Sequence, residues 1–242
     1  MRRYRISAII AGAIAVFLCF AFALGRGPIE PSYQGKPLRQ WLADQRVTDS
    51  GGIELSDASI RAVQAIGTNG LPTLLAMLRS SDSQLKLRLV MQVQKYRTLR
   101  ALIPTYGERR FAAMLGFHAL GLTTKKPAFP MIVEIVLTSD ANLQAISSLA
   151  GADSDTVLAL VKGLANPDRK VRCRAALALC YFPQFLAVSA PALTRALKDS
   201  APEVRTQASM SLANLSQNPD PTIRSIAAQA LQNVATGARE QR

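Results

Sequence analysis

A spacing that recurs three times constrains this chain more than any other feature. Val171, Ala175, Leu179 and Phe182 stand at offsets 0, 4, 8 and 11, and Val204, Ala208, Leu212 and Leu215 repeat those offsets 33 residues later. Ile223, Ala227, Leu231 and Val234 do so again. These offsets place four apolar side chains on one face of a helix with 3.6 residues per turn. Each opening Val or Ile is followed by an arginine (Arg172, Arg205, Arg224), and Ile60-Arg61 opens a shorter copy ending at Gly67.

A second kind of helix alternates with the first. Pro72, Leu74 and Leu78 share their spacing with Pro130, Ile132 and Val136, and with Pro191, Leu193 and Leu197. Proline suits the first turn of a helix, where its missing N–H has no partner to lose. A helix, a short turn and a proline-led helix, recurring every 26 to 33 residues, predict an all-α fold, an α-α superhelix or α-solenoid. Its units bury their apolar faces only by stacking. The expected pairs are 57–79, 83–106, 109–139, 142–166, 168–199 and 202–235, five or six in number, with the second and fourth degenerate. Only 19 residues separate Val204 from Ile223, so Pro221 to Val234 reads as a second helix with first-helix features.

The start of the chain obeys different rules. Ile6 to Leu24 is a run of nineteen residues with Ser7 as its one polar member, preceded by Arg2, Arg3 and Arg5 and closed by Arg26. An uncharged run of this length crosses a bilayer as a single hydrophobic helix, and the basic cluster keeps its own end cytoplasmic. Ala21-Phe22-Ala23 also satisfies the small-x-small rule of a cleavage site. A retained single-pass anchor and a secreted or periplasmic domain released near Ala23 are both open, and both export the remainder. The expected divisions are 1–24 signal or anchor, 25–56 linker, 57–236 repeat domain and 237–242 flexible tail. Within the linker, Leu38, Trp41 and Leu42 mark a short helix with Trp41 as a packing residue.

Val-Arg-x-x-Ala-Ala-x-x-Leu helices followed by Pro-x-Leu helices resemble bacterial HEAT repeats over most of the chain. Tyr33-Gln34-Gly35-Lys36-Pro37-Leu38, with Trp41-Leu42 and then Ala65-Ile66-Gly67-Thr68-Asn69-Gly70-Leu71-Pro72, resembles the exported or membrane-tethered HEAT-repeat proteins of Verrucomicrobia-like bacteria. The resemblance implies a HEAT-like solenoid and a scaffold for protein complexes. It assigns no catalytic residue.

The chemistry-bearing residues are few. His118 is the single histidine and sits in an apolar segment, so no metal site is expected. Cys173 and Cys180 are separated by about 10 Å along a helix axis, too far to bridge. Gly67-Thr68-Asn69-Gly70 reads as a helix cap and turn rather than a phosphate loop. No cofactor is expected, and the chain reads as non-enzymatic. A HEAT-like lyase or DNA glycosylase is the enzymatic alternative, with no residues of either active site assigned.

Charge adds one candidate surface. The chain carries 29 Lys and Arg against 16 Asp and Glu, a net +13. Eight basic residues between Arg79 and Arg110 face two acidic ones, and Lys86, Arg88, Lys95, Arg97 and Arg100 are the candidate basic surface. Such a patch attracts anionic lipid, nucleic acid or an acidic protein. Export disfavours nucleic acid, so another envelope protein is the expected partner, with membrane contact through residues 6–24 if they are retained. Asp168, Arg172, Arg205, Asp220 and Arg224 are assigned instead to a structural ladder. In it an acidic residue caps a helix start and meets a repeat arginine, Glu203 standing in beside Arg205.

Overall fold

The computed structural model describes residues 30–93, 103–139 and 143–239, and side chains as far as Gln232. The hydrophobic run 6–24, the cleavage motif at Ala23 and the basic residues Lys95, Arg97 and Arg100 lie outside the described residues, as does the side chain of Val234.

Residues 30–56, expected to be linker around one helix, are built into the fold. Strand β1 (Ser32–Tyr33) pairs antiparallel with β2 (Lys36–Pro37), Tyr33 opposite Lys36. Gln34 and Gly35 between them have φ of 50° and 74°, the left-handed pair that a two-residue hairpin loop requires. Helix α1 (Leu38–Leu42) follows directly. The Trp41 indole N–H donates to the carbonyls of Tyr33 and Lys36, at 3.2 and 3.1 Å, and fixes the hairpin to the helix. Lys36 Nζ lies 4.1 Å from the centre of the Trp41 ring. Leu38 and Leu42 are fully buried in the main core, each contributing about 2 kcal/mol of transfer free energy. A second hairpin, β3 (Gln45–Val47) with β4 (Ile53–Leu55), buries Leu55 in the same core.

The repeats follow. Helix α2 (Asp57–Ile66) is capped by Ser56, whose Oγ accepts from the Ser59 amide. It stops at Gly67, whose φ of 58° and ψ of −135° belong to glycine. After a 3₁₀ turn come α3 (Leu71–Leu78), α4 (Gln84–Val93), α5 (Tyr106–Ala119), α6 (Leu122–Lys125), α7 (Phe129–Thr138) and α8 (Leu143–Ser148). The chain continues through α9 (Ser154–Gly163), α10 (Arg169–Leu179), α11 (Leu186–Ala196), α12 (Pro202–Leu215) and α13 (Pro221–Arg239). Helices α2, α5, α8, α10 and α12 form a first layer, and α3, α7, α9, α11 and α13 a second. Successive pairs pack through long-range helix–helix contacts such as α10 on α12 and α11 on α13. One contiguous apolar core runs from Leu38 to Ala230.

Several details depart from the pattern expected. The pair α2/α3 packs directly on α5/α7, so the described part of the unit 83–106 is not a layer between them. Its described helix, α4, instead leaves Leu85 and Met91 exposed, at 77% and 64%. Pro72 and Pro130 do open their helices, but Pro191 lies inside α11. Helix α13 packs on both α11 and α12, which makes it a second-layer helix, and it continues through Arg239 into the stretch expected to be tail.

Close approach between layers depends on small residues. A Cβ at Gly116 of α5 would stand 2.6 Å from Leu74 Cδ2 and 3.1 Å from Leu42 Cδ2. Among the described residues no single helix is long and apolar enough to cross a membrane. The segments Arg169–Leu179 and Pro183–Ala196 reach that length and composition only jointly, across a 103° bend. Their apolar side chains, Ala175, Leu179, Leu186 and Leu193 among them, are buried in the repeat core.

Candidate interaction surface

The turns between units carry the repeat arginines, and three of them are built alike. Arg172 Nη1 donates to the carbonyls of Asn166 and Pro167, Arg205 Nη1 to those of Asp199 and Ser200, and Arg224 Nη1 to those of Asn218 and Pro219. Each guanidinium thus closes the turn five and six residues before it. Asp168 and Asp220 accept from the amides of Lys170 and Thr222 and cap their helices. They make no ion pair with Arg172 or Arg224 among the described residues.

The carboxylate that Arg172 meets belongs to the next unit. Its Nε and Nη2 donate to Asp199 Oδ2 and Oδ1 at 2.8 and 2.9 Å, a two-pronged bond with both side chains mostly buried. The Arg172 hydrogen bonds hold the Asp199 carboxyl below the usual carboxylate range. Glu203 pairs with Arg169 at 3.0 Å, not with Arg205. Asp199 was not singled out from the sequence. Aligning the units on their arginines puts it in the column of Asn166 and Asn218, and that column was the signal.

The basic region is partly neutralised from within. Asp82 has a fully buried side chain whose Oδ1 accepts from Lys86 Nζ at 2.9 Å and Arg109 Nη2 at 2.8 Å. Its Oδ2 accepts from the Tyr106 amide at 2.7 Å. Burial raises the Asp82 carboxyl, but the Lys86, Arg109 and Tyr106 hydrogen bonds and the Arg109 charge outweigh it and hold the group at about 2. Lys86 also donates to the Pro104 carbonyl, and Arg79 pairs with Glu134. Of the five candidate basic residues, two are described, and of these only Arg88 is both exposed and uncommitted.

Shallow grooves run in series along the second layer. The one between α3 and α7, about 670 Å³, is floored by Leu71, Leu75 and Met131. The next, between α7 and α9, is lined by Phe129, Val133 and Ala159, with Lys126 and Asp153 on its rim. Between α9 and α11, and again between α11 and α13, lie grooves of about 390 and 520 Å³ lined by alanines together with Val161 and Leu164 in the first and Ile226 in the second, with Arg195 bordering both. Pro72, Pro130 and Pro191 are each exposed at a groove edge.

A family model, HEAT repeats, matches residues 157–219. The chain contains a HEAT-repeat region. It runs from within α9 to the turn after α12 and includes the Arg172–Asp199 bond and the groove between α9 and α11. No curated protein matches the chain.

The remaining candidates for chemistry are held structurally. His118 is exposed, its Nε2 2.9 Å from the Ser147 carbonyl oxygen, and joins α5 to α8. Cys173 and Cys180 are free thiols, both raised by burial. Asp153 caps α9 and pairs with Lys126 at 2.9 Å; the Lys126 and Thr156 hydrogen bonds hold its carboxyl at about 2. Among the described residues no three His, Cys, Asp or Glu side chains gather to hold a metal ion.

Proposed function

We propose that this protein is a non-enzymatic scaffold of the cell envelope, presenting its second helical layer to another protein. The observation that carries the reading is the series of apolar-floored, polar-rimmed grooves along one layer of a stack. A side-chain row on a partner fits a surface of this form, with an apolar centre in each groove and polar contacts on the rims. The buried or capping carboxylates Asp82, Asp153 and Asp199 are each committed to cations and backbone amides, which supports binding over acid–base catalysis. The run 6–24 and its flanking arginines support export of the domain. Lipid or nucleic-acid binding through the basic region has less support, because Lys86 is committed to Asp82.

The test is crosslinking in native membranes with the full chain, followed by purification. A protein partner should be recovered reproducibly, in reduced yield when Ala76→Trp or Ala165→Trp fills a groove. A reproducibly empty purification, or a yield insensitive to both substitutions, overturns the reading. Sequencing the amino terminus of the mature protein settles its anchoring: Leu24 marks cleavage, and Met1 or Arg2 a retained anchor.

A further inference from the structure

We propose that Arg195 is the anchor of a peptide-docking site, and that it takes a carboxylate flanked by small apolar side chains on a segment of a partner protein. This rests on the second layer being the binding face. Arg195 stands in the last turn of α11, exposed, and its guanidinium makes no hydrogen bond or ion pair among the described residues. The other arginines around it are committed: Arg172 to Asp199, and Arg205 to the turn before it. Arg195 alone presents a free fork of N–H donors, and it does so on the ridge between two adjacent grooves.

The charge around that ridge is one-sided. Lys162, in the last turn of α9, and Lys198, in the turn after α11, are exposed, while Asp199, the carboxylate of the α9/α11 groove, accepts from Arg172 and the Ala201 amide. Among the described residues no carboxylate pairs with Arg195. A guanidinium pairs with a carboxylate through two parallel N–H···O bonds, and the bond strengthens when neighbouring apolar contacts exclude water. Those contacts are supplied on both sides: Ala165, Ala192 and Ala196 line one groove, and Ala187, Ala190 and Ala230 the other. Shallow grooves lined by such small and aliphatic side chains suit Ala, Val or Leu side chains. A single guanidinium between apolar troughs does not suit a phosphate or lipid headgroup, which would call for several converging donors.

The experiment places a photo-reactive phenylalanine analogue in the full-length, membrane-borne protein at Ala165, at Gln229 or, as a third position, at Ala76. Irradiated cells should yield adducts at 165 and 229 whose crosslinked peptide carries Asp or Glu between apolar residues. Arg195→Glu should lower both yields by about tenfold or more, with an unchanged melting curve because the native side chain has no internal partner. Arg195→Lys should keep part of the yield. Adducts at Ala76 alone, or adducts at 165 and 229 that Arg195→Glu leaves unchanged, overturn this site while the second layer stands as the binding face. Absence of adducts at all three positions, with a partner still recovered by non-specific crosslinking, overturns both. Competition by inorganic phosphate but not by an aspartate-containing peptide matching the adduct overturns the carboxylate assignment.

Discussion

Arg172 and Asp199, 27 residues apart, join the start of α10 to the turn that leads into α12 through two charge-assisted hydrogen bonds of 2.8 and 2.9 Å. The same arginine closes its own turn, so one side chain sets both the entry to its helix and the spacing to the next unit. Asp199→Ala leaves this guanidinium without its carboxylate in a mostly buried position and should cost about 2 kcal/mol. Urea unfolding measures it. A double-mutant cycle with Arg172→Met should return most of that loss as coupling; a coupling near zero would mean that the turn carbonyls alone hold Arg172.

Asp82 ties the folded state to acid. Its carboxyl sits at about 2 when folded against 3.8 for the ordinary group, so the unfolded chain binds the proton more readily. The stabilisation is therefore complete above about pH 4 and is lost as pH falls toward 2. Thermal melts between pH 6 and pH 2 should show this decline. Asp82→Asn should lower stability at pH 6 and flatten the slope between pH 4 and 2, with Asp153 and Asp199 supplying the slope that remains.

Gly116→Val should destabilise the stack by about 1–3 kcal/mol, because a side chain there meets the fully buried Leu74 and Leu42 and the core has no room to yield. Calorimetry of the variant checks this. Shortening Leu74 to Ala in the same chain should cost less than it does in the wild-type background, since the two changes share one space.

Trp41→Phe keeps a ring but removes the indole donor shared by the Tyr33 and Lys36 carbonyls. About 1 kcal/mol should be lost locally. Hydrogen exchange at residues 32–37 should accelerate while α10 to α12 keep their protection. Equal acceleration everywhere would show that the first hairpin is a cooperative part of the whole stack.

The helices that the sequence marks most clearly are those whose apolar offsets match their burial: Val204, Ala208, Leu212 and Leu215 are all buried. The start of the 83–106 unit was hard to place because alternating Leu and basic residues satisfy a helical pattern without showing what the helix packs against. Residues 30–56 looked like a tether since their two hairpins have strands of only two and three residues, too short for a periodic signal. Asp168 and Asp220 were legible as caps from position alone. Asp199 was not, because its partner is fixed by stacking, and Arg195 was not, because a lone surface arginine acquires meaning only when two grooves meet beside it.

The turn Asn218-Pro219-Asp220, closed by Arg224, has the construction of Asn166-Pro167-Asp168, closed by Arg172, yet the helix it starts lies in the opposite layer. The turn is thus punctuation that reads the same before either kind of word. The 19-residue interval from Val204 to Ile223 is therefore the step from a first-layer helix to its own second-layer partner, where the 33-residue interval from Val171 to Val204 is the step between units. One local construction thus serves both the step between units and the step within one.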